Sequence, residues 1–335
     1  MEFLADFVVR FAEQLQTPTL AFLIAGMVIA ALNSQLQIPN AIYHFIVFML
    51  LMRIGLAGGM TLREANPLEM LLPLASATLI GISIPILGSI TLARLPGVRK
   101  EDALATSGLF GAVSASTVVA AMLALDEEGI FYEAWIPALY PFMDIPALVT
   151  AIVLANLFIH KSKHGADGKV AIWPIIKECL QGAALTALIL GFVLGIFSRP
   201  EGVFAEFYDP LFRGFLSVLM LILGMDAYRR LRELLSVAHW YIAYSIIAPL
   251  VHGLMGFGLG YVAHVVAGLS PGGAIMLAII AASNSDVSGP PTLRGGIPSA
   301  NPAAYVGSST GVGTPVALAI GIPLFTTLGK AVFGL

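Results

Sequence analysis

Ten stretches of mainly apolar residues run along the chain, separated by short polar or charged links: 17–35, 39–60, 67–93, 101–124, 133–160, 173–198, 207–228, 236–267, 271–289 and 303–334. A helix crosses a bilayer with about 20 such residues, so each stretch predicts a span. The runs are continuous and lack the every-second-residue alternation of a membrane barrel. The pattern therefore predicts an all-α polytopic membrane protein with ten transmembrane helices. The last stretch is long enough to contain a break.

Small polar residues interrupt two of these stretches. The first interruption is Gly111-Ala112-Val113-Ser114-Ala115-Ser116-Thr117, with Pro146 following Ser116 by 30 positions. The second is Ser283-Asn284-Ser285-Asp286-Val287-Ser288-Gly289-Pro290, with Pro315 following Ser285 by 30. Ser116 and Ser285 lie 169 apart, as do Pro146 and Pro315. Earlier segments also correspond: Gly26 matches Gly191 and Gly59 matches Gly224, both at an offset of 165. The chain reads as two five-span repeats. Because five is odd, the second repeat enters the membrane in the opposite sense, giving two inverted five-helix repeats with broken helices at the midplane. Paired breaks of this kind point to the substrate site of a secondary transporter.

Composition agrees with the spans. Of the 335 residues, 58% are hydrophobic and 11% charged, with a mean hydropathy of +0.90. Soluble domains carry about 25% charge. A net charge of -3 gives no nucleic-acid signal, and the single Cys179 excludes an internal disulfide. No nucleophile–base pair or nucleotide loop suggests an enzyme, and no cofactor motif is present. The first residues, with Asp6, Arg10, Glu13 and Gln14 opposite Phe3, Phe7, Val8 and Phe11, suggest an amphipathic interfacial helix rather than a signal peptide. On alternate loops, eleven Lys and Arg fall on one side and five on the other, with Arg53 inside a span. The richer side is expected in the cytoplasm, which places both termini outside. The segment 161–172 then becomes a cytoplasmic linker.

The breaks offer two kinds of ligand. A half-helix N-terminus carries free N–H groups and partial positive charge, which suits a small oxyanion. Gly111 and Ala112 uncover the backbone, Ser114, Ser116, Thr117 and Ser285 supply hydroxyls, and Thr310 and Gly311 join from the final span. Pro146 and Pro315 cannot donate to the carbonyls of Phe142 and Gly311. Freed carbonyls near a carboxylate suit a hard cation. A carboxylate at the bilayer centre costs about 2.5–3.5 kcal/mol, and a cation at Asp144 would offset that cost. Sodium is therefore expected at Asp144, Ser114, Phe142, Asn284, Asp286 and Ser309. Other readings stand beside this one: small residues for helix packing alone, Asp144 paired with Arg53, and Asp286 holding a second cation, carrying a proton or pairing with Arg294. His252 and His264 read as packed or interfacial.

The chain resembles the sodium-dependent bicarbonate transporter family of cyanobacterial type. The likeness covers nearly all of it. It is densest in Pro18-Thr19-Leu20-Ala21-Phe22, Leu109-Phe110-Gly111-Ala112-Val113-Ser114 and Ala138-Leu139-Tyr140-Pro141-Phe142-Met143-Asp144-Ile145-Pro146-Ala147. The resemblance implies bicarbonate as the anion, sodium as the coupling ion, and an elevator-type movement of a core domain against a gate domain. The gate would comprise 1–66 and 173–235, and the core 67–160 and 236–335. It further implies a homotrimer in the plasma membrane and a PII-like regulatory protein docking from the cytoplasm. The second break departs from the family pattern: Asp286 stands where a small or hydroxyl residue and an aromatic are usual. An extra acid there leaves a cation-coupled carrier of another small anion or carboxylate as the alternative. A channel, or a membrane scaffold for a signalling protein, is the reading from a different class.

Overall fold

A computed structural model describes residues 18–63, 67–163, 173, 177, 181, 183–234, 239–286 and 289–335. The expected interfacial helix, Cys179 and most of the 161–172 linker lie outside the described residues. Those described form an all-helical bundle with no strand. In chain order the helices are α1 (Pro18–Ala31), α2 (Asn40–Leu62), α3 (Pro67–Ile90), α4 (Lys100–Gly111), α5 (Ala115–Glu127), α6 (Leu139–Lys163), α7 (Ala183–Phe197), α8 (Asp209–Leu234), α9 (His239–Ala267), α10 (Pro271–Ala282) and α11 (Gly289–Gly296). A final run, α12 (Pro302–Phe333), closes the bundle. Proline at the first position and a capping side chain set several starts: Ser270 caps α10 before Pro271, and Asn301 caps α12 before Pro302. Gly268 (φ 74°) and Gly334 (φ 73°) end α9 and α12 in the left-handed region, where glycine carries no Cβ penalty.

Seven helices among the described residues are long and apolar enough to cross a membrane, and three shorter apolar helices, Ala21–Ala31, Thr186–Phe197 and Pro271–Ala282, fall in the remaining predicted stretches. Two of the stretches are interrupted where the sequence reading places the breaks. The stretch 101–124 is two half-helices, α4 and α5, because the chain runs extended through Ala112 and Ser114. The stretch 271–289 stops at Ala282, where Ser283 is again extended. The last stretch has no break. Instead, π turns at Gly307–Gly313 and Ala317–Gly321 flank Pro315 and absorb its missing donor without ending the helix. Pro146 likewise lies inside the continuous α6.

Helix packing is set by glycine. Along α1 and α8, a Cβ on Gly26 would lie 2.1 Å from the carbonyl oxygen of Leu221, and one on Gly224 would lie 2.0 Å from that of Leu23. Along α2 and α7, Gly55 and Gly59 meet the backbone of Leu188, Gly191, Phe192 and Gly195. Without a hydrophobic force between helices in lipid, such close backbone approach is the main source of association. The broken pair α4–α5 and α10 are buried along nearly their whole length, whereas α3 exposes Leu71, Leu79 and Ile86.

Candidate functional site

Both breaks expose backbone groups in the middle of the bundle, and each satisfies the other's. The amide of Ser285, just past the end of α10, donates to the carbonyl of Leu109 near the end of α4 (2.8 Å). The amide of Ser114 donates to the hydroxyl of Ser283 (3.1 Å). In the first break, the preceding amide, that of Val113, donates to the Asp144 carboxylate on α6 (3.0 Å). Consecutive amides of one break thus anchor it to α6 and to the second break. Both breaks are buried, and a buried amide left without a partner would cost about 1–3 kcal/mol.

Around the first break, Ser114 is the N-cap of α5 and its hydroxyl accepts from the Thr117 amide (3.2 Å). The Ser114 and Ser116 hydroxyls lie 2.7 Å apart, and each reaches Asp286, at 3.4 Å and 3.0 Å. The Thr117 hydroxyl is buried with no hydrogen-bond partner among the described residues. Gly111 ends α4 and Ala112 follows it, both fully enclosed.

Around the second break, Asn284 donates to the Ser309 hydroxyl (2.6 Å) and the Thr314 hydroxyl (2.9 Å). Ser309 in turn donates to the Ser285 carbonyl (2.7 Å). The other amide atom, Asn284 Oδ1, is buried without a hydrogen-bond partner among the described residues. Gly313 has no side chain here for a reason: a Cβ would sit 2.9 Å from that oxygen and 2.7 Å from the Phe110 ring. An orphaned buried carbonyl oxygen among hydroxyls has the donor chemistry of a hard-cation ligand. Gly311 and Thr310 belong to the π turn beside it.

A cavity of ≈ 450 Å³ reaches Asp286, next to this crossing, from the end of the bundle where α2 begins and α8 approaches its end. Tyr43, Asp226, Asp286, Arg294, Tyr305 and Thr310 are among its lining residues. Past Asp286 a pocket of only ≈ 10 Å³ continues between Tyr43, Ser116 and apolar side chains of α2. That is room for about one water. Wide space therefore ends at Asp286.

The structure brings Ser114, Ser116 and Asp286 into one cluster and Asn284, Ser285 and Ser309 into another. Asp144 joins through the Val113 amide. Phe142 has its ring 45% exposed on the outside of α6, so its place in the sodium prediction rests on its backbone carbonyl alone. Arg53 pairs with Asp209 (2.6 Å) and stacks over Phe212 (4.4 Å), so the alternative that gave it to Asp144 is replaced by a partner just inside α8. Asp286 makes its described hydrogen bonds with serines. His252 is buried and packs edge-on against the Tyr244 ring (6.4 Å), and His264 bonds the Leu269 carbonyl (2.6 Å). Ser283, Thr314 and Tyr43 complete the surroundings. Ser283 was detectable in advance, since it stands 169 positions from Ser114. Tyr43 carries no such signal in an apolar helix. Among the described residues no three His, Cys, Asp or Glu form a metal cluster.

A comparison with curated proteins finds no match. Comparison with protein families matches residues 18–330 to the Na+-dependent bicarbonate transporter superfamily, nearly the whole chain. Membership implies sodium-dependent bicarbonate transport, a non-enzymatic activity, by a multi-pass membrane protein, and it fits a site made of crossed helix ends, hydroxyls and buried carboxylates. This chain belongs to the Na+-dependent bicarbonate transporter superfamily.

Proposed function

We propose that this protein is a sodium-coupled symporter that takes up bicarbonate across the plasma membrane by elevator-type alternating access. The observation that carries the reading is the crossing of the two breaks, Ser285 on Leu109 and Ser114 on Ser283, beside a ≈ 450 Å³ cavity that Asp286 lines. Bicarbonate would take the N-terminal end of α5 with Ser114, Ser116 and Thr117, completed by Gly111, Ala112, Ser285, Thr310 and Gly311. Sodium would take Asp144 and the orphaned oxygen of Asn284, with Ser114, Ser309 and the Phe142 carbonyl; the sequence reading adds Asp286. Coupling follows because each charge offsets the other's cost in a buried site.

Packing supports two inverted repeats and a division into gate and core. The α1–α8 and α2–α7 pairs exchange places when residues are shifted by the repeat offset, since Gly26 becomes Gly191 and Gly59 becomes Gly224. These four helices would form the gate (1–66 and 173–235), and the rest the core (67–160 and 236–335). The cavity lies between them, lined by Tyr43 and Asp226 on one side and Asp286 and Arg294 on the other. With the basic loops in the cytoplasm it faces inward, and both termini lie outside. The homotrimer and the PII-like regulator belong to the same reading.

Asp286 is the observation that favours another small anion or carboxylate. Competition decides between the two: purified protein in liposomes should accumulate radiolabelled bicarbonate, with acetate, nitrate and formate as weaker competitors. A stronger effect of one of these than of unlabelled bicarbonate would transfer the assignment to that anion.

A further inference from the structure

Two of the hydroxyls assigned to the anion, those of Ser114 and Ser116, are already engaged. A serine hydroxyl has one proton to donate. Ser116 gives its proton to Asp286 Oδ2 (3.0 Å), and Ser114 directs its hydroxyl to Asp286 Oδ1 (3.4 Å) or to Ser116. Ser114 also accepts the Thr117 amide, which holds its hydroxyl at the α5 N-terminus. Bicarbonate and the Asp286 carboxylate therefore require the same protons. They are also like charges, and in a buried site their repulsion is far greater than in water. Asp286 has somewhere to go: the ≈ 450 Å³ cavity that it lines also contains the Arg294 and Thr310 side chains.

We propose that the Asp286 carboxylate is a tethered competitor for the anion site, holding the Ser114 and Ser116 hydroxyls and swinging into the cavity toward Arg294 when bicarbonate takes them. The inference rests on the transport reading above and assigns Asp286 to the control of anion affinity. A built-in competitor raises the concentration of anion needed to fill the site. It also speeds release, because the returning carboxylate expels the anion into the cavity.

Uptake by the full-length protein in liposomes, measured over a matrix of bicarbonate and sodium concentrations, tests the proposal with Asp286→Asn and Asp286→Ala. Asparagine keeps an acceptor without the charge, and alanine removes both. The expected result is a bicarbonate KM lowered by about tenfold, the scale of one anion's interaction with a helix N-terminus, with kcat equal or lower. A KM that is unchanged or raised in a folded variant overturns the proposal. So does a shifted sodium half-saturation at constant anion KM, which would make Asp286 a sodium ligand. Should neither variant fold, infrared difference spectra of the wild type on adding formate decide it: displacement shifts an aspartate carboxylate band, and an unchanged band contradicts the proposal. Absence of sodium-dependent uptake in the wild type would overturn the transport reading, while the formate spectrum would still report on Asp286.

Discussion

The amide of Ser114 donates to the hydroxyl of Ser283 at 3.1 Å, joining two residues 169 positions apart. That separation is the repeat offset read from Ser116 and Ser285. Equivalent positions of the two halves meet at the centre of the bundle, as they would on a two-fold axis.

Asp144 accepts the Val113 amide inside the first break and is 1% exposed. Asp144→Asn keeps the shape and removes the charge that would attract sodium. Sodium half-saturation for uptake should rise by about tenfold or more, since hydrogen bonds and ligation involving a charged group are worth about 1.5–3 kcal/mol. Unaltered sodium dependence in the folded variant would remove Asp144 from the cation site.

Asn284 holds Ser309 and Thr314 in place and is a proposed sodium ligand. Asn284→Ala deletes the donors to Ser309 and Thr314 and should destabilise the detergent-solubilised protein by about 1–3 kcal/mol. It should also abolish any rise in melting temperature on adding sodium, measured against choline. A variant that is merely less stable but gains as much from sodium as the wild type would show that the orphaned oxygen is not a ligand.

Gly224 allows α8 to touch α1. Gly224→Ala puts a methyl 2.0 Å from the Leu23 carbonyl oxygen and should cost about 1–3 kcal/mol through overpacking, read as a lower melting temperature and a poorer yield of folded protein. Gly258→Ala is the control, because nothing lies within 4 Å of its added methyl. Equal behaviour of the two variants would contradict the helix pairing.

Arg53 and Asp209 form their own unit. Asp209, at the start of α8, is 49% exposed, so the coupling of the pair should be about 1 kcal/mol, the upper end for an exposed ion pair. A double-mutant cycle of Arg53→Ala and Asp209→Ala in thermal unfolding measures it. Coupling between Arg53 and Asp144 instead would restore the pairing that the structure replaces.

Much of this architecture was legible in the sequence because lipid leaves few options. Continuous apolar runs must be helices, and Gly111–Thr117 and Ser283–Pro290 could only be interruptions. Their offset paired Ser116 with Ser285, and the same offset relates Ser114 to Ser283, which the sequence reading did not single out. Three things were not legible. A proline signals a missing donor but not its consequence, so Pro315 lies between π turns and Pro146 inside a continuous helix rather than at breaks. The partner of Arg53 depends on how α2 meets α8, which no local pattern encodes. The destination of Asp286 depends on the crossing itself, since the serines it reaches lie in the other repeat.

The central claim is that one site couples two ions, and co-flux measures this most directly. Liposomes containing the purified protein, held at a fixed membrane potential, would be given radiolabelled sodium and radiolabelled bicarbonate together and then separately. Reciprocal dependence is required of coupled binding. The account predicts that each label enters only when the other ion is present and that the two enter in a constant ratio. Bicarbonate uptake that continues unchanged when choline replaces sodium would contradict it.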